Sequence, residues 1–158
     1  MLHVLDEALG VLPELLKDRS SWNTLAVRYE TPHVNRVWIQ WGEYRINLHK
    51  IFPCVAALWH PHPWPSAVKI FSGQYEMGLS SNNQPSLAKV VLKAGSSYEM
   101  VNPIGWHYVK PVGKPSMSLM VTGKPWPSTH KHPGKGLEHD ALTLEEAQEI
   151  FDFFYVQS

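Results

Sequence analysis

The chain opens on an apolar stripe. Leu2, Leu5, Leu9, Leu12, Leu15 and Leu16 recur at helical spacing, which predicts a helix over residues 2–17 with one apolar face. Pro13 lacks the amide hydrogen that an inner helical position uses, so a kink or a split into two helices is expected there. From Trp22 the period shortens towards two. Residues 25–29 and 36–41 are rich in β-branched and aromatic side chains, and Gly42-Glu43 reads as a turn. Residues 44–51 then alternate strictly. Tyr44, Ile46 and Leu48 point one way; Arg45, Asn47 and His49 point the other. In a half-exposed strand such a polar row is simply wet, whereas in a barrel with a polar pocket it looks inward.

Further short strands are predicted at 56–62, 66–71, 74–79, 87–93, 97–101, 107–109 and 116–122. Turns at Ser72-Gly73, Ala94-Gly95 and 102–105 separate several of them, and 80–86 is a polar turn. Roughly eight to ten short strands at close spacing make the pattern of a β-sandwich or a closed barrel. Residues 124–140 read as a loop. Thr143 and Glu146 have the spacing of a capping box and start a helix to about Tyr155, with Ala147, Ile150, Phe151 and Phe154 on one side. Both terminal helices are expected to pack outside the β structure.

A chain of 158 residues fits one domain, 1–158, and at 44% hydrophobic residues it has the material for a core. The 14 basic and 14 acidic residues balance, so no electrostatic argument favours nucleic acid or an anionic membrane surface as partner. No segment approaches the ~20 apolar residues of a bilayer span. Asp6, Glu7 and Glu14 stand where a signal peptide would be basic and then apolar, and the expected location is the cytoplasm. Cys54 is the single cysteine, which precludes an internal disulfide and fits a reducing compartment. It has no nearby helix N-terminus or base to activate it as a nucleophile. Val34–Trp41, read as an open edge strand carrying Val37, Trp38, Ile39 and Trp41, would be an aggregation hazard. Pairing of that edge with a second chain predicts a homodimer.

The candidate chemistry lies in the nine histidines. His60-Pro61-His62 sends two imidazoles to one face of a strand, ~7 Å apart along the chain, close enough to share one ion. Imidazole suits Fe, Zn, Ni or Cu. With so many histidines one such pair is weak evidence, and two histidines with no ion is the plain alternative. Further on, Pro103 fixes φ and Gly105 permits φ > 0, so a sharp turn is expected that aims His107 back at the pair. Three imidazoles would then cap one ion and leave positions open.

His60, His62 and Gly73 resemble the first motif of the cupin superfamily, and Gly95, Pro103, Gly105 and His107 the second. The resemblance covers about residues 44–122. It implies an all-β cupin jelly-roll barrel, RmlC-like, with the metal held by His60, His62 and His107. Counting back from Gly73, the usual glutamate ligand falls at Ser66, so the site is read as three neutral histidines without a carboxylate. A bound dication would keep its full charge and favour an anionic or chelating small-molecule substrate. Among cupins, such a site resembles thiol dioxygenases and the dioxygenases that cleave β-diketones. Residues 66–73 also resemble the equivalent thiol dioxygenase hairpin. Residues 118–122, however, lack the tyrosine those enzymes often carry, and Ser66 stands where some have a cysteine linked to it.

The expectation is a non-haem Fe(II)-dependent dioxygenase, with Zn, Ni, Mn or Cu as other candidate ions. A metal-dependent isomerase or lyase, and a non-catalytic small-molecule-binding cupin, stay open as alternatives. Arg45 and His49 are expected to orient the substrate, Arg45 through a bidentate contact with a carboxylate. Trp59, Trp64 and Trp106 flank the expected ligands as core or pocket wall. Glu76, beyond the Gly73 turn, is expected to face outward or to be hydrogen-bonded. His130, His132 and His139 form a second cluster, read as solvated histidines of a loop.

Overall fold

The alternation of residues 44–51 decides the architecture. In a computed structural model, which describes residues 1–81, 88–127 and 139–158, Ile46 and Leu48 are completely buried beneath two helices. The row of Asn47 and His49 faces the other way, into the space between two antiparallel sheets. The strands are β1 (Asn23–Val27), β2 (Val34–Trp41), β3 (Tyr44–Ile51), β4 (His60–Pro61), β5 (Ser66–Ser72), β6 (Gln74–Ser81), β7 (Ala88–Lys93), β8 (Ser97–Met100), β9 (Gly105–Pro111) and β10 (Ser116–Thr122). One sheet runs β1-β2-β3-β10-β5-β8 and the other β4-β9-β6-β7.

Helices α1 (Leu2–Leu15) and α2 (Leu144–Gln157) cover the outer face of the six-stranded sheet. Leu5, Ala8 and Leu12 of α1 and Ile150, Phe151 and Phe154 of α2 pack with Val37, Ile46, Leu48, Leu119 and Val121. Each large side chain buried this way stabilises the fold by about 1.5–3 kcal/mol. The helix α1 is not split, because Pro13 falls in its last turn, where few following residues depend on the missing bond. The predicted capping box opens α2: Thr143 Oγ1 accepts from the Glu146 amide at 3.2 Å, and the Thr143 amide donates to Glu146 Oε2 at 2.9 Å. A second cluster, Ile51, Ile70, Tyr75, Met77 and Val109, lies between the two sheets.

Gly73 closes the β5–β6 hairpin at φ +79°, and a Cβ there would stand 2.8 Å from both the Pro115 carbonyl oxygen and Ser116 Cα. Glycine is thus required for its backbone angle and for the close approach of a neighbouring strand.

Three expectations change. The strand expected at 56–62 contracts to His60–Pro61, because prolines at 61, 63 and 65 lack the amide hydrogens of a longer ladder. The strand β2 is not an edge, since β1 pairs along its open side from Asn23↔Trp38 to Val27↔Val34. The edge argument for a homodimer therefore loses its footing. Gly105 does not adopt positive φ; its amide donates to the Asn102 carbonyl at 3.0 Å, and a Cβ would lie 3.2 Å from that oxygen. The turn needs a small residue there, not a left-handed one.

Candidate metal centre

Two strand-borne histidines face each other directly. His60 on β4 is in register with His107 on β9, and their Nε2 atoms are 3.0 Å apart. His62 follows β4 by one residue. Its ring centroid lies 5.5 Å from that of His60 and 4.5 Å from that of His107. One ring nitrogen from each of the three residues lies within 4.8 Å of the others. The prolines that shorten β4 also fix φ along this stretch, just where His62 leaves the sheet.

The donor set fits a divalent transition metal. His60 Nδ1 lies 3.1 Å from the Leu58 carbonyl oxygen, which can only accept; the proton therefore sits on Nδ1, and Nε2 keeps its lone pair towards His107. Two Nε2 atoms at that spacing are placed to share one proton or one cation. Burial lowers the His60 pKa, with the Arg36 charge adding in the same direction and the Leu58 contact opposing. Neutral imidazole, the ligating form, is favoured. Ser66 Oγ lies 3.2 Å from His62 Nδ1 and is fully buried. Contacts of this kind fix ring orientation and tautomer in metal sites.

The cluster opens on a cavity of about 580 Å³ between the sheets. His49, expected to orient the substrate, lines it and is buried. Burial, then the charges of Arg36 and His62, hold its pKa well below the usual imidazole value, and its Nε2 has no partner among the described residues. Arg45 does not line the cavity. It begins the inward row of β3 beside the Gly42 turn, is exposed, and lies over the Trp38 ring at 4.0 Å. The arginine in the cavity wall is Arg36, on β2 directly opposite His49.

The sequence reading missed Arg36 because Val34–Trp41 is apolar on both faces: Val34 and Trp38 share the row of Arg36, while Val37, Ile39 and Trp41 pack outward. It also missed Tyr75 and Tyr98, which line the cavity with hydroxyls 2.7 Å apart. Burial pushes the Tyr98 hydroxyl up to about 12 and Tyr75 well above its usual value. Strand alternation around Tyr75 was the available signal.

Trp64 lines the cavity, whereas Trp59 packs edge-on against Tyr108 at 4.8 Å. Glu76 accepts from the Tyr108 hydroxyl and lies 3.8 Å from Lys89, away from the cluster as expected. His139 lies tilted against Tyr29, with ring centroids 5.1 Å apart, and lines the cavity; His130 and His132 lie outside the described residues. No helix among the described residues is long and apolar enough to cross a membrane.

A two-sheet antiparallel β structure with a His-x-His pair and a third histidine converging on its interior defines a cupin-fold protein with a three-histidine centre. The sequence matches no protein-family model and no curated protein. Similar solved structures include Fe(II) HppE, with TM-score 0.56, 10% identity, and a match covering 66% of this chain and 57% of that one. The hydroxypropylphosphonic acid epoxidase from S. wedmorenis gives TM-score 0.53 and 14% identity over 68% of this chain and 57% of that one. An RmlC-like cupin from Shewanella frigidimarina gives 0.46 and 14%, over 66% and 86%. The chain thus spans little more than half the length of the first two, and at these identities the likeness is one of fold.

Proposed function

We propose that this protein is a metal-dependent enzyme acting on a small organic molecule, and specifically a non-haem Fe(II)-dependent dioxygenase. The observation that carries the reading is the convergence of His60, His62 and His107 on one wall of a largely apolar cavity. Concave apolar sites with a few convergent polar groups are where small ligands bind. The three histidines would hold the ion. Bound there, it would supply Lewis-acid and redox chemistry with positions left open for substrate and oxygen. Imidazole alone permits several ions; the fold shared with Fe(II) HppE favours iron among them.

The chain's own groups have separable tasks. The Leu58 carbonyl and Ser66 hydroxyl orient the rings of His60 and His62. His49, neutral and buried, offers a base or a hydrogen-bonding partner inside the cavity. Trp64 and Trp126 form wall and limit water.

The test is metal analysis of tag-free protein together with oxygen uptake. About one transition-metal ion per chain is expected, lost when His60 and His62 are both changed to Ala while the fold persists. Full metal retention in that double variant overturns the site. Iron binding without oxygen uptake across a panel of small acids and diketones overturns the dioxygenase assignment and leaves the metal centre.

A further inference from the structure

The cavity holds a charge that the metal reading does not use. Arg36 lines it, and its Nε is buried without a partner among the described residues. A guanidinium in such a place is costly unless something anionic meets it. Burial pushes its pKa down to about 10, which still leaves it cationic at neutral pH.

The neighbouring carboxylate does not supply the counter-charge in full. Glu30 feels Arg36, which pulls its carboxyl down, yet burial pushes it up by more. A closed ion pair would do the reverse. One oxygen of Glu30 is itself buried without a partner among the described residues. An anion entering there meets a cation that Glu30 compensates only in part, with a forked set of donors.

We propose that the cavity takes a small carboxylic acid with an apolar body, its carboxylate bound by the Arg36 guanidinium. The identification of the cavity as the substrate site rests on the proposed function; the anion site itself does not need the metal. Two features choose among anions. Most of the wall is apolar, with Val27, Val68, Met120 and Trp126 available to an apolar body. Glu30 stands beside Arg36 and repels a second negative charge, which favours a monoanionic carboxylate over a phosphonate or phosphate dianion.

Calorimetric titration of four probes decides it: 3-phenylpropionate, benzoate, 3-phenylpropanamide and 2-phenylethylphosphonate. The better carboxylate is expected to bind at least about tenfold more tightly than the amide, and more tightly than the phosphonate. In Arg36→Met the acid-to-amide ratio falls to near one. In the His60→Ala, His62→Ala protein the ratio persists, so failure of the metal reading and failure of this one are distinguishable. Arg36→Met is also expected to melt higher than wild type, because it removes a charge that is desolvated and only partly compensated. A ratio near one in wild type, no measurable binding of any probe, a ratio unchanged by Arg36→Met, or preference for the phosphonate overturns the proposal. So does an Arg36→Met protein that melts lower or fails to fold, since Arg36 would then be held by the fold and not left for a ligand.

Discussion

Ser66 Oγ and His62 Nδ1 are 3.2 Å apart, and the serine that makes this contact is fully buried. Ser66 stands on β5 where the motif spacing places a ligand carboxylate. Its hydroxyl instead reaches a candidate ligand's ring. If Nδ1 is the atom that faces Ser66, Nε2 is the nitrogen His62 has left for an ion. The missing carboxylate is replaced by a contact that orients one of three imidazoles.

Ser66→Ala should therefore weaken metal binding by roughly 10–100-fold without unfolding the protein. Competition against a chromophoric chelator measures this directly. Ser66→Thr, which keeps the hydroxyl, should recover most of the affinity. Equal affinities for all three proteins would mean that the contact does not orient His62.

Gly73→Ala should be far more damaging than a surface substitution. The alanine must take φ +79° and place its Cβ 2.8 Å from the Pro115 carbonyl oxygen and Ser116 Cα. Left-handed strain and backbone overlap together suggest a loss of about 2–4 kcal/mol. Urea unfolding reads it out. A change under about 0.5 kcal/mol would show that the hairpin shifts freely, and the register of β5 against β10 would be looser than drawn.

How much of this was legible in the sequence depended on whether the signal was local. The β3 row of Asn47 and His49 is visible because Ile46 and Leu48 alternate with it. Which side of that row is inside is not local: it is settled by α1 and α2 covering Ile46 and Leu48. The histidine pair was readable from its spacing, and the third histidine from the turn before it, since both motifs are short. Arg45 was preferred over Arg36 because its strand alternates cleanly. The strand of Arg36 is apolar on both faces, so no alternation marks the inward arginine. The edge reading of β2 failed for a similar reason, because β1 comes from residues that carry no sign of their partner. Ser66 was recognisable as an absence, but its contact with His62 depends on three-dimensional placement.

Phe154 belongs to the outer core, and the metal centre is held by the other sheet. Phe154 is fully buried on α2, with Phe71 at 5.2 Å and Phe153 at 5.1 Å between ring centroids, both edge-on. Phe154→Ala should cost about 3–5 kcal/mol in urea unfolding. Metal content of the surviving folded protein should stay unchanged, because the helices touch the sheet face opposite the histidines. Loss of metal in a variant that remains folded would contradict that separation.

Stability should fall as the solution is acidified through the upper histidine range. His49 and His60 are bases whose folded pKa values burial has lowered, well below the ordinary 6.5 in the case of His49. Well above pH 6.5 neither the folded nor the unfolded chain protonates them, and they add no pH dependence. Below it, the unfolded chain takes up protons that the fold refuses, so stability is lost as pH drops from 6.5 towards the folded values. Each group gives a slope of at most about 1.4 kcal/mol per pH unit in that window, and the two together at most about 2.8. Glu30, an acid whose carboxyl burial has raised, acts in the opposite sense nearer pH 4.5. Urea midpoints at pH 7.5, 6.5 and 5.5 on chelator-treated protein isolate the histidine contribution, since an ion bound at His60 would add its own competition with protons. His49→Gln should make the slope below pH 6.5 shallower. A flat profile between pH 7.5 and 5.5, or a slope unchanged in His49→Gln, would mean that His49 is protonated within the fold and is not the neutral, buried base described above.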